Sequence, residues 1–486
     1  MMYAVRPLNQ PGYRSNKVAL TGLLVLLVSV FLLGGSARGD EWAVVVLRPI
    51  SFFALGVAVV GVNFDQLRNN KFVIGWIVVV VFLPLAHLVP LPPEILEASP
   101  GQAIIQDIIR ALSMRDDWRP ISASPELTRN AFWSMAAPAA CFLFAMQLTD
   151  RQIYIVMKCL VLLAVFGGVL AVAQITQGSG GTLYIYRITN YGSGVGLFAN
   201  RNHHAVFLAY IICLIYAVYL MAGEFRVDRQ LDRLQPNHLL NGWMAALGIM
   251  FTIALIIVSG SRSGAFLGMV SLVLVWRAFG SQRSTNREFT EPRSRISFFG
   301  INRVLNLSGS WIFPISVLIT IMIVMLTGQD LAFQRILETS SAEKSRIEIL
   351  PTLVTMAGDF FITGSGTGSF EPVFKLYEPY ELLAPGYWNH AHNDWLETAI
   401  TTGIPGLLIL TSGVAWLCVQ GVRFKALGQK AKPAIAFALA GYSLVLLCAL
   451  ASVIDYPLRT PIIACCLMIA VNLIQRAGAP APAAGQ

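Results

Sequence analysis

Charge is what this sequence has least of. Only 13% of its 486 residues are Asp, Glu, Lys or Arg, whereas 56% are hydrophobic. A soluble chain needs roughly a quarter of its residues charged to cover its surface, so a water-facing globule is excluded. The same apolar content excludes a disordered chain. The excess must face lipid, and the chain reads as an all-α polytopic membrane protein, a single integral membrane domain over 1–486.

Other shortages narrow the reading. The seven cysteines, Cys141, Cys159, Cys213, Cys418, Cys448, Cys465 and Cys466, all fall inside apolar runs and show no pairing pattern, so no disulfide framework is implied. No internal repeat is visible. The stretch Gly364-Ser365-Gly366-Thr367-Gly368 lacks the Gly-Lys-Ser/Thr ending of a phosphate-binding loop and reads as a turn. A formal net charge of +9 could suggest nucleic acid, but basic residues collect on the cytoplasmic loops of any multi-span protein. Their positions follow that pattern, and no nucleic-acid partner is expected.

Laying a ruler of about 20 residues per crossing along the chain gives about twelve spans. They lie near 18–36, 42–62, 72–91, 130–148, 152–176, 202–222, 241–260, 263–280, 307–327, 395–420, 433–454 and 459–475. The first runs too long for a signal peptide and is kept as a helix. Arg6, Arg14 and Lys17 precede it; Arg226, Arg229 and Arg233 follow the sixth; Arg277 to Arg303 follow the eighth; Arg423, Lys425, Lys430 and Lys432 follow the tenth. The positive-inside rule therefore puts both termini in the cytoplasm. Two long loops, 92–129 and 328–394, face the other side and carry more acidic than basic residues. Loop 328–394, between the ninth and tenth helices, has a helix-like run from Ser345 to Ala357 and many aromatics, so it can fold over the membrane surface as a lid. Residues 477–486 form a flexible low-complexity tail.

Chemistry gathers at the outer mouths of the spans. Two of the six histidines stand in Trp388-Asn389-His390-Ala391-His392-Asn393-Asp394-Trp395-Leu396-Glu397. An imidazole with a pKa of about 6.5 can take a proton from a hydroxyl at ambient pH, and Asp394 or Glu397 could orient it. Asn393 and Glu397 share a helix face. The bland alternative is an interfacial His bound to backbone and headgroups. A metal held by the alternating His390, His392 and Asp394 is a third, disfavoured because no further His-rich cluster accompanies it. Arg262 sits in the tight outer hairpin Ser259-Gly260-Ser261-Arg262-Ser263-Gly264, where topology disfavours Arg and a phosphate would match its fork. A snorkelling Arg on lipid headgroups is its bland alternative. Arg346 opens the lid helix, and Arg187 and Arg201 flank Phe198-Ala199-Asn200-Arg201-Asn202-His203-His204. Four outer arginines are thus candidates for one anionic site. Arg48 is a weaker fifth, and Lys158 reads as snorkelling.

Ser261-Arg262-Ser263-Gly264, then Arg346 leading to Gly364–Phe370, then His392–Glu397 running into Gly403-Ile404-Pro405-Gly406, occur in that order. In that order they resemble the O-antigen ligase and O-antigen polymerase family of bacterial inner-membrane glycosyltransferases, most specifically from about Gly196 to Gly406. The resemblance implies a protein of about twelve spans with a large periplasmic loop. It implies metal-independent transfer of glycan from an undecaprenyl diphosphate carrier to a hydroxyl of a growing glycan or a lipid A core, without a cofactor, on the periplasmic face. It assigns Arg262 and Arg346 to the diphosphate, with Arg187 or Arg201 as a third cation, and His392 to activating the acceptor. Asn200 and Asn202 match the family's Phe-x-Asn-x-Asn, and Asn393 and Glu397 belong to the His-Asn motif as substrate-side residues; His390 and His204 have no place in it. A transporter or flippase of lipid-linked oligosaccharide is the rival, weakened by ionisable residues that gather at one face rather than at the midplane.

Overall fold

The computed structural model describes residues 16–39, 41–97, 103–113, 117–222, 238–287, 346–383, 387–427 and 432–479. The expected ninth span (307–327), the start of the long loop (328–345), residues 480–486 of the tail and many of the basic loop residues lie outside the described residues.

The helices run in chain order as α1 Lys17–Leu33, α2 Trp42–Val60, α3 Phe64–Asn69, α4 Lys71–Ala86, α5 Pro93–Glu97, α6 Ala103–Ala111, α7 Pro125–Ser134, α8 Ala136–Met146 and α9 Asp150–Gln177. After these come α10 Arg201–Met221, α11 His238–Val258, α12 Arg262–Arg287, α13 Leu350–Asp359, α14 Phe370–Tyr377, α15 Asp394–Ala426, α16 Lys432–Ala451 and α17 Pro461–Ala477. The sheet content among the described residues is one two-stranded ladder, β1 Pro90–Leu91 against β2 Arg119–Pro120. Among the described residues, six helices are long and apolar enough to cross a membrane, and four shorter ones are apolar.

Helix α10 is the axis of the bundle. Its sequence is apolar or small on every side, which is the pattern of a helix with no lipid face, and it packs against α9, α11, α12 and α16. Gly264 makes the α10–α12 contact close: a Cβ added there would lie 2.3 Å from that of Ala205. By contrast α2 and α15 leave Val45, Phe53, Val60, Leu408 and Val422 exposed, as lipid-facing helices do. The stretch 130–148 is not one helix. It breaks at Met135 between α7 and α8, because Pro138 offers no N–H to the carbonyl of Ser134, one turn back.

The described part of the long loop, the expected lid, has a core of its own, in which Ile349, Leu353, Phe360, Phe370 and Phe374 pack on Ile400 of α15. Its attachment to α15 rests on unmet hydrogen bonds. Gly403 has φ 57, ψ −148 and breaks the helix, and Pro405 lacks an amide hydrogen. The carbonyls of Ile400 and Thr401 therefore have no partner along the chain, and buried carbonyls need one. Ser365 N–H donates to Ile400 (2.9 Å) and Gly366 N–H to Thr401 (3.0 Å), while Ile404 N–H turns outward to Phe361 (2.8 Å). The glycine-rich stretch is indeed a turn, with Gly364, Gly366 and Gly368 all at positive φ. Ala123 N–H donates to the carbonyl of Ser365, and His87 Nδ1 meets Thr367, so both long loops join at this turn.

An added Cβ at Gly403 would lie 2.7 Å from Gly364 N and from Phe361 O. Gly403→Ala is therefore expected to cost about 1–3 kcal/mol of stability, read as a lower melting temperature of the purified protein in detergent.

Candidate functional site

The connection between α16 and α17 organises the site. Five successive residues, 452–456, each receive a partner from another part of the chain. Ser452 Oγ donates to Asp394 Oδ2 (2.9 Å), and its carbonyl accepts from Asp394 N–H. Asn393 Nδ2 donates to the carbonyl of Val453 (2.9 Å) and Arg346 Nη1 to that of Ile454 (3.3 Å). Asn202 Nδ2 donates to Asp455 Oδ2 (2.8 Å), and Asn389 Nδ2 reaches Tyr456 Oη at 3.4 Å.

Asp455 is 3% exposed, and a carboxylate so placed must be paired. Its Oδ1 accepts from Tyr456 N–H (3.0 Å) and stands 3.3 Å from His392 Nδ1 and 3.6 Å from His203 Nε2. The contact to His392 has the length of an ion pair without the alignment of a hydrogen bond. Burial alone would push this carboxyl up; the two imidazoles outweigh it and hold the group well below the usual carboxylate range. His203 is fixed from its other side by Thr460 Oγ1, 2.7 Å from Nδ1.

His392 has φ 50, the left-handed region that a non-glycine residue enters only when its surroundings force it. Here they do. The N–H of Ala391 donates to Glu397 (2.9 Å), Asn393 caps α15 by accepting from Leu396 N–H, and Asp394 N–H is tied to Ser452. The ring is walled by Trp388 (5.7 Å between centroids) and Tyr456 (4.8 Å). Burial lowers its pKa from the ordinary imidazole value; Asp455 acts the other way, and Arg346 and His390 add to the lowering. Tyr456 touches three imidazoles, those of His203, His390 and His392. Burial raises its phenol above the ordinary tyrosine value, which keeps it protonated.

The acid behind His392 is thus neither Asp394 nor Glu397, contrary to the sequence expectation. Both lie in the first turn of α15 and face away, because the cap at Asn393 fixes their directions. Glu397, fully buried, accepts from His390 Nδ1 (2.9 Å) and meets Arg459 Nη2 at 3.3 Å. Arg459 Nε is 3.3 Å from Asp394 Oδ1. His390, His392 and Asp394 therefore diverge to three different partners and form no shared metal set; among the described residues no other cluster of three ligands exists either.

The other expected residues divide. Asn202 joins two parts of the site: its Oδ1 accepts from Ser261 Oγ (2.8 Å), next to Arg262 at the first position of α12. Arg346 shares the 452–456 connection with His392. Asn200 caps α10, accepting from Asn202 N–H, and Arg201 opens that helix with its N–H on Asn190. Arg187 is exposed on the α9–α10 connection, where its carbonyl accepts from Tyr191. Asn393 and Glu397 are engaged in holding the His392 segment. His204 accepts or donates only within the fold, at Gly194 O (3.0 Å), and stacks on Phe198.

Asp455, Tyr456, Arg459 and His203 escaped the sequence reading. The available signal was Asp455 and Arg459 in the few residues separating two apolar runs, since ionisable groups at a membrane boundary are seldom idle. A cavity of 350 Å³ adjoins His203 and Tyr456.

No match was found among curated proteins. The model of the O-antigen ligase family matches residues 246–411, from α11 through the Arg262 hairpin and the lid to the break in α15, and stops short of Asp455. The likeness read from the motifs is borne out: residues 246–411, which carry Arg262, Arg346 and His392, match the O-antigen ligase family.

Proposed function

We propose that this chain is a glycosyltransferase of surface polysaccharide biosynthesis in the bacterial inner membrane. It crosses about twelve times, with both termini cytoplasmic and the site periplasmic. It moves glycan from an undecaprenyl diphosphate carrier to the hydroxyl of a growing glycan or of a lipid A core. The observation that carries this reading is His392, forced to a positive φ with Asp455 behind its Nδ1.

With Nδ1 on the side of Asp455, 3.3 Å from its Oδ1, and carrying the ring hydrogen, Nε2 is the free base. It takes the acceptor's hydroxyl proton as that oxygen attacks the anomeric carbon, and Asp455 stabilises the imidazolium formed. The bond from that carbon to the diphosphate breaks, and the charge released needs fixed cations. Arg262 and Arg346, with Arg187 or Arg201, supply them. A single displacement inverts the anomeric centre. Contacts to a charged base from a buried carboxylate tighten in the reacting complex, which suits the unaligned 3.3 Å separation. Glu397 and Arg459 are positioning residues: they hold the backbone that holds His392. Deleting the gene and resolving the cell's glycans on a gel tests the reading. Loss of long chains with single units retained means polymerase, loss of all core-attached chains with carrier-linked polymer retained means ligase, and an unchanged profile overturns both.

His392→Ala should abolish transfer at normal protein level, and Asp455→Asn should lower kcat by about 10²–10⁴-fold with KM little changed. Because only the neutral imidazole is active, rate falls as pH drops through its pKa. The acid limb of kcat/KM should lie below the ordinary imidazole value of about 6.5. Arg346→Gln removes a charge that lowers this pKa, so the limb should move to higher pH; Asp455→Asn removes one that raises it, so any residual limb should move lower. Arg262→Lys keeps the charge but not the two-point fork and should lose most activity; near-normal turnover would reduce the role of Arg262 to bulk charge.

A further inference from the structure

The geometry points to the 350 Å³ cavity beside Tyr456 as a saccharide subsite, which takes a sugar residue next to the bond that reacts. This rests on the glycosyl-transfer reading and gives it a location for the substrate's carbohydrate. Position is the first support. The cavity is walled on one side by His203 and Tyr456, whose rings meet 5.0 Å apart and lie against Asp455 and His392. On the other side stand residues of the α1–α2 connection (35–38) and of the α9–α10 connection (188–190).

Chemistry is the second. Among the described residues no carboxylate lines it, and three side-chain amides do, those of Asn190, Asn200 and Asn389. Each has one end in use. Asn190 Oδ1 accepts from Arg201 N–H, Asn200 Oδ1 from Asn202 N–H, and Asn389 Nδ2 donates to Tyr456. Two NH2 groups and one carbonyl oxygen remain, a mixture of donors and acceptors that suits hydroxyls, which are both. Tyr387 adds an apolar ring whose Oη accepts from Arg38 and over which Arg38 and Lys375 lie at 5.3 and 5.5 Å. A polyprenyl tail would leave these amides unpaired in an apolar environment, at a cost in free energy. Size is the third support. Small-ligand pockets run from roughly 300 to 1,000 Å³, so this one suits one or two sugar rings and not a long chain.

The sugar could come from the donor, beside its diphosphate, or from the acceptor's end, and the test separates them. The full chain in lipid nanodiscs, carrying His392→Ala so that nothing turns over, is titrated with three probes. These are bare undecaprenyl diphosphate, the glycan-loaded carrier, and the free oligosaccharide released by mild acid from the cell's own surface polysaccharide. Ala37→Trp, which fills the cavity, and Asn190→Ala, which removes an amide, are each added, with melting temperature measured in parallel. Affinity for at least one saccharide probe should fall tenfold or more in both variants while the bare carrier binds as before. A fall confined to the loaded carrier assigns the subsite to the donor; a fall for the free oligosaccharide assigns it to the acceptor. Unchanged affinity for both saccharide probes in either folded variant, or an equal fall for the bare carrier, overturns the proposal. If saccharide binding is lost as expected but the wild-type chain transfers nothing, the transferase reading fails and the subsite stands.

Discussion

A carboxylate taken out of water must be surrounded by groups that repay its lost hydration, and Asp455 is where this chain meets that demand. Its four partners come from three places in the chain: Asn202 and His203 at the start of α10, His392 before α15, and its own neighbour Tyr456. Removing any one would leave a charge under-compensated in a dry site. The result is a centre whose geometry is over-determined before substrate arrives, which is what electrostatic stabilisation of a transition state requires. The strained backbone of His392 is maintained by a neighbouring set of contacts, those that Ala391, Asn393 and Asp394 make with Glu397, Leu396 and Ser452.

The lid is joined to the bundle by a different logic. A glycine break and a proline leave two carbonyls of α15 without helical partners, and the glycine-rich turn supplies the missing amides. The irregular backbone of each segment is tolerable only because the other is present. A transmembrane helix can be interrupted where protein re-satisfies its freed groups, and here the interruption is what attaches the lid core to the start of α15, a few residues from His392.

Much of this could be read in the sequence because lipid demands so simple a code. Long apolar runs became helices, the Ser259–Gly264 hairpin became a tight turn, and Gly364–Gly368 became a turn with three positive φ values. His392 was legible because it sits beside Asn393 in a polar stretch at a helix start. Its carboxylate was not. Asp394 and Glu397 are near in sequence and looked sufficient, yet the N-cap at Asn393 rotates both toward Arg459. Asp455 lies beyond two further helices, and a single charge after an apolar run resembles any loop residue until the fold brings it to His392. The break at Met135 was hidden for another reason: hydropathy registers Pro138 as one more apolar position and not as a missing amide.

The close approach of Gly264 to Ala205 gives the bundle a hard stop. Lipid tails provide no hydrophobic pull between helices, so small residues set how near two helices come. Here that distance also sets the length of the Ser261–Asn202 hydrogen bond, which ties the Arg262 hairpin to the residue that holds Asp455. The spacing between the Arg262 hairpin and the Asp455 cluster is thus gauged by steric contact between two helices rather than by the thickness of the surrounding bilayer.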